Sequence, residues 1–134
     1  MVYVLKTAGD KAFYSPMTDL ITMPPRGLFE NAEEYWSTLW HEQDHAVGHP
    51  KRLNRESIKE VAPFGSALYS LEECIAEMTA AYLCGITGIE NRTIDNSAAY
   101  IAEWVARLRD NRKLIIHAAA QAQRACNYIL NIKT

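Results

Sequence analysis

Five consecutive residues carry the clearest chemistry in this 134-residue chain: His41, Glu42, Gln43, Asp44 and His45. Histidines four apart lie one turn apart on the same face of a helix. Their imidazole nitrogens can then meet at one point, as a tetrahedral zinc ion requires. Glu42, about 100° further round the helix, reaches a water in the ion's open position. Two ligands and a general base make the core of a metal-dependent hydrolase. Chance produces such a triplet in roughly a few of every thousand chains of this length, so the flanks must decide.

A helical wheel supplies the first test. With His41 at zero, Glu34, Thr38, His45 and Gly48 fall within about 60° of it. Ala32, Tyr35, Trp36, Leu39, Trp40, Ala46 and Val47 cluster on the other side. The apolar stripe packs into a core and the opposite face presents the histidines. Histidines serving only as core residues would sit within the stripe.

A catalytic zinc takes a third protein ligand and keeps one position for water. The metzincin pattern HExxHxxGxxH places a third histidine after a glycine turn. Here Gly48 is in place, but Lys51 occupies the third-histidine position and His49 comes two residues early. An ammonium is a poor ligand, which excludes that arrangement. The other source is a carboxylate from a later helix. Leu71, Ile75, Met78 and Tyr82 mark an apolar stripe, and Glu73 and Glu77 share the opposite face. Ala76 and Ala80 beside them let another helix come close. Spacing permits either glutamate as ligand. Glu72 reads as part of a solvated face.

Five ordered blocks carry a resemblance beyond the single motif. They are AFYSPMTDLITMPP (12–25), YWSTLWHEQDHAVGHPKRLNR (35–55), EECIAEMTAAYLC (72–84), NSAAYIAEWVARLRDN (96–111) and AAAQAQRACNYIL (118–130). Together they resemble the zincin-like metallopeptidase domain of ArdC-type antirestriction proteins and related polyvalent proteins of mobile elements. The resemblance implies His41 and His45 as zinc ligands, Glu42 as catalytic base and Glu73 as third ligand. It implies Glu77 as the acidic residue that orients a ligand histidine. ArdC-type proteins also carry an N-terminal domain that binds single-stranded DNA. No counterpart of it is legible in these residues, so strong nucleic-acid binding is not expected of them, and the link to antirestriction rests on the resemblance alone.

The whole chain sets bounds. Apolar residues make up 49% and charged residues 22%, ordinary for one globular domain spanning 1–134. A net charge of -2 gives no electrostatic reason for strong nucleic-acid binding. Arg107, Arg109, Arg112 and Lys113 read as a solvated helix end. No leader and no membrane span is legible, so a cytoplasmic location is expected. Cys74, Cys84 and Cys126 are odd in number and form no CxxC pair, which points to reduced core thiols. His117 reads as a core or groove histidine.

The expected fold class is α+β and zincin-like: a small N-terminal antiparallel sheet and about four helices. Strands are expected in 1–6, 11–14 and 20–23. The first helix runs from Asn31, its cap, to Val47, stopped by Gly48 and Pro50. A long connection spans 48–69 and includes Arg52, Arg55, Pro63 and Gly65. The second helix ends near Gly85, Gly88 and Asn91 mark a turn, and a third helix begins at Asn96. A fourth, capped by Asp110 and Asn111, reaches about Leu130. The expected activity is peptide-bond hydrolysis with one Zn2+ per chain and a peptide or protein substrate. His49, Tyr69 and Tyr100 are the candidates to stabilise the oxyanion. The competing reading is a zinc-binding interaction module with little turnover.

Overall fold

The structure is a computed structural model describing residues 4–59, 66–108 and 111–133, with backbone alone at 59 and 90–94. Three strands open the chain: β1 (Val4–Thr7), β2 (Phe13–Ser15) and β3 (Leu20–Met23). β2 and β3 form an antiparallel pair, with Tyr14 opposite Ile21. β1 lies on the other edge of β3 and runs parallel to it, with Leu5 opposite Ile21. The sheet is therefore mixed, not antiparallel. Two reversals explain this: the chain turns back between β1 and β2, again between β2 and β3, and so regains its first direction. Gly9, at a φ of 67°, serves the first reversal. Central β3 buries Ile21, Thr22 and Met23, whereas β1 stays exposed.

The HExxH segment lies on α1 (Ala32–Val47). The Asn31 side chain accepts a hydrogen bond from the Glu34 N–H at 2.8 Å, satisfying one free donor of the first turn. Gly48 follows the last residue of α1. The connection then closes on itself, with Leu53 N donating to Val47 O at 2.8 Å and Arg55 N to Gly48 O at 2.9 Å. It leads into the short α2 (Glu56–Lys59). Pro63 and Gly65, expected in this connection, lie outside the described residues, as do Arg109 and Asp110.

α3 (Ala67–Thr87) is the central helix and packs against α1, α4 and α5. Ser66 caps it by accepting from Tyr69 N at 3.1 Å, and Gly88 ends it in the left-handed region at a φ of 80°. α4 (Glu90–Arg107) starts six residues before the expected Asn96, and Asn91 already lies within it. No side chain caps its start, so the polar pair Asn96-Ser97 gave a false boundary. α5 (Arg112–Ile129) begins where Asn111 accepts from Leu114 N at 3.3 Å.

Two apolar clusters hold these layers. Leu71, Cys74, Ile75 and Met78 of α3 pack with Leu108, Ala118 and Ala122. Ile21 and Met23 of the sheet pack with Tyr35, Leu39 and Ala46 of α1. Ala76 and Ala80 are buried, and α3 lies near enough to α1 for Thr79 Oγ1 to donate to Asp44 Oδ1 at 2.9 Å. The three cysteines are free and buried, and burial pushes the Cys74 and Cys126 thiols up to about 11 and about 12. His117 is exposed and borders a groove rather than the core. Among the described residues, no helix is long and apolar enough to cross a membrane.

Candidate metal centre

α1 and α3 meet with their polar faces together. His41 Nε2 and His45 Nε2 stand 3.2 Å apart. Glu73 reaches both, with Oε2 at 3.0 Å from His41 Nε2 and Oε1 at 3.5 Å from His45 Nε2. One donor atom from each residue falls within 4.8 Å of the others. Donors bound at about 2.0–2.2 Å to a tetrahedral ion stand roughly 3.2–3.6 Å from one another. The observed separations of 3.0, 3.2 and 3.5 Å, the two to Glu73 made by different oxygens, lie close to that range, so the donor set fits a divalent ion after small side-chain adjustments.

The other ring nitrogens are also engaged. His41 Nδ1 meets Glu77 Oε1 at 3.0 Å, and His45 Nδ1 meets Glu72 Oε2 at 2.5 Å. A carboxylate only accepts, so each Nδ1 carries a proton and donates it. Each Nε2 is thereby turned to the centre, the orientation found in carboxylate–histidine–metal triads.

Electrostatics agree with the distances. Burial alone would lower the His41 pKa, but its hydrogen bonds to Glu73 and Glu77 raise it to about 10. Glu72 and Glu73, against the same burial, hold His45 well above its usual value. Burial would raise the Glu73 carboxyl, yet the two imidazoles keep it far below the usual carboxylate range. The centre therefore favours two positive charges among three carboxylates, a charge that one divalent cation supplies.

Glu72 corrects the sequence reading. It is 6% exposed and does not belong to a solvated face. The sequence signal is weak because its partners come from α1 and from Arg55 and Ser57, 17 and 15 residues earlier in the chain. Helical periodicity cannot report such a partner.

Glu42 is buried and lines a cleft of about 280 Å³ together with His41 and Glu77. Ala12, Glu34, Thr38, Asn96 and Tyr100 form other parts of its wall. Tyr69 packs edge-on against Trp104, and its pKa is raised by burial and then by the charge of Glu73. Tyr100 thus lines the cleft with His41, whereas Tyr69 does not line it but lies near enough to Glu73 to feel its charge. His49 is not among the residues lining the cleft; its Nδ1 accepts from Lys51 N at 3.1 Å.

A strand–helix scaffold with HExxH on its first long helix and a carboxylate from α3 defines a zincin-type fold. Residues 2–121 match the zincin-like metallopeptidase family, and the chain belongs to that family. It is 38% identical over 127 residues to a DNA primase TraC of Escherichia coli, covering 95% of this chain and 8% of that protein. It is 34% identical over 125 residues to the protein y4eC of Sinorhizobium fredii, covering 93% of this chain and 40% of that one. The Mn(II)-bound crystal structure of the antirestriction protein ArdC of plasmid R388 matches with a TM-score of 0.77 and 36% identity. That match covers 96% of this chain and 47% of ArdC. Metal-free ArdC matches with a TM-score of 0.73. The chain spans less than half the length of each of these relatives.

Proposed function

We propose that this domain is a zinc-dependent peptidase in which His41, His45 and Glu73 hold the ion and Glu42 is the general base. The observation that carries this reading is the meeting of three donors beside a buried glutamate in an open cleft. A zinc ion there would acidify a water and polarise the scissile carbonyl. Glu42 accepts the proton of the attacking water at a carboxylate oxygen and passes it to the leaving amine. Glu77 and Glu72 hold the two imidazoles so that their Nε2 lone pairs stay on the centre. Tyr69 or Tyr100 donates to the developing oxyanion.

Zinc is favoured over manganese by the two-imidazole, one-carboxylate set, since imidazole suits zinc and all-oxygen sets suit manganese. The related ArdC was crystallised with Mn(II), so manganese is the competitor to test. The substrate class is peptide or protein. The test is cleavage of a diverse peptide library by wild type loaded with zinc or manganese, or stripped by chelator, beside Glu42→Gln. Zinc-dependent cleavage lost in the Gln variant is expected. A zinc-loaded wild type that cleaves nothing would favour a binding module instead.

A further inference from the structure

Glu72, which holds His45, is itself held on every side. Its Oε1 accepts from Arg55 Nε at 2.9 Å and from Ser57 Oγ at 2.7 Å. Its Oε2 accepts from Arg55 Nη2 at 2.7 Å. The same guanidinium reaches Asp44, with Nη2 donating to Oδ2 at 2.7 Å and Nη1 to Oδ1 at 3.3 Å. Arg55 is 4% exposed and Asp44 is fully buried. Thr79 closes the far side of Asp44.

The geometry is demanding. A guanidinium presents its donors in a rigid planar fork, so it fixes the direction of both carboxylates, whereas an ammonium would act as a point charge. Gly48 permits the close approach. A Cβ there would lie 3.0 Å from both Arg55 Cζ and Nη2, which would force a buried, multiply bonded group to shift. Asp44, His45 and Glu72 also bring together three donors of metal-binding type. Arg55 already spans the two carboxylates of that group with a cation of the protein's own.

We propose that Arg55 is a positioning residue for the metal centre. Its fork fixes the Glu72 carboxylate, Glu72 fixes the His45 ring through Nδ1, and His45 Nε2 is thereby kept aimed at the ion. The turn after α1 is then part of the metal site although it supplies no ligand. This inference rests on the reading of His41, His45 and Glu73 as ligands. It does not rest on hydrolysis.

The experiment measures zinc affinity by chelator competition, with the ring N–H signals of His41 and His45 followed by NMR in the zinc-loaded protein. Arg55→Gln and Arg55→Lys should each weaken zinc binding about 10–100-fold. The His45 Nδ1–H signal should shift or broaden, while that of His41, which rests on Glu77, stays in place. Failure of Lys to rescue marks the fork, rather than the charge, as the cause. Should those variants not fold, Ser57→Ala and Gly48→Ala touch the same network more gently. Each should then weaken zinc binding severalfold with the same selective effect on His45. Folded variants that bind zinc as wild type does, or that move both histidine signals alike, would overturn the proposal alone. A wild type that takes up no zinc would overturn the metal reading and this proposal with it.

Discussion

Glu72 and Glu73, neighbours in sequence, grip one imidazole from two sides: Glu72 at His45 Nδ1 and Glu73 at His45 Nε2. Adjacent residues on a helix diverge by about 100°, so this pinch requires the His45 ring to lie against α3. The three-dimensional relation separates two carboxylates that the sequence places side by side. Glu73 faces the two Nε2 atoms of His41 and His45, and Glu72 faces the buried network of Asp44 and Arg55.

Removing Glu72 should therefore destabilise the fold before any metal is considered. Glu72→Ala leaves Arg55 with less compensation in a buried position, a kind of loss worth about 3–5 kcal/mol. Urea unfolding of wild type and variant in the presence of chelator measures it. A loss below about 1 kcal/mol would show that the network adds little to stability.

Acid should weaken the metal-free protein through the same group. Burial would raise the Glu72 carboxyl, but the Arg55 charge and the His45 hydrogen bond bring it down to about 2 from an ordinary 4.5. A pKa lowered on folding contributes stability that is present above 4.5 and lost as pH falls through about 2. Urea midpoints of wild type should fall across that window, and Glu72→Gln should flatten the dependence. Parallel slopes for the two proteins would count against the assignment.

The histidines titrate in the opposite sense. The metal-free fold holds His41 at about 10 and His45 well above its ordinary value, so both carry charge at neutral pH. The His41 contribution to metal-free stability is complete below 6.5 and is lost as pH rises through about 10, and that of His45 is lost in the same direction. An ion must displace protons from both rings, so affinity should rise with pH. Calorimetry of zinc binding at pH 7 in buffers of different ionisation enthalpy should report release of about two protons. Release of none would mean that the rings are already neutral without metal.

Much of this architecture was legible in the sequence because it follows local rules. Asn31 as a cap, the 3.6-residue stripe of α1 and the spacing of Glu73 and Glu77 each depend on near neighbours. The direction of β1 depends on two successive reversals, which alternation alone does not encode. The start of α4 is not legible because no side chain caps it. The roles of Glu72 and Arg55 are hidden for a different reason: Glu72 meets His45 across 27 residues of chain and Arg55 across 17. Gly48 reads as a helix stop. It also leaves room for the Arg55 guanidinium, which only the folded loop reveals.

The sharpest prediction separates Glu73 from Glu77. Both lie on the face of α3 turned to α1, and both sit 3.0 Å from a nitrogen of His41. They touch different nitrogens, however. Glu73 faces Nε2, where the three donors meet, and Glu77 faces Nδ1 on the outer side. Removing a ligand abolishes a metal bond, whereas removing a partner of a ligand costs about 10–100-fold in affinity or activity. Glu73→Ala should therefore weaken zinc binding well beyond Glu77→Ala in chelator competition, with His41→Ala and His45→Ala abolishing tight binding. In a zinc-loaded crystal structure a Glu73 oxygen should lie roughly 2.0–2.2 Å from the ion. If Glu77, or a residue of the 48–59 segment, fills that position instead, the role assigned to Glu73 is wrong although the metal site stands. Equal losses of affinity from both alanine variants in solution would point to a sharing of roles.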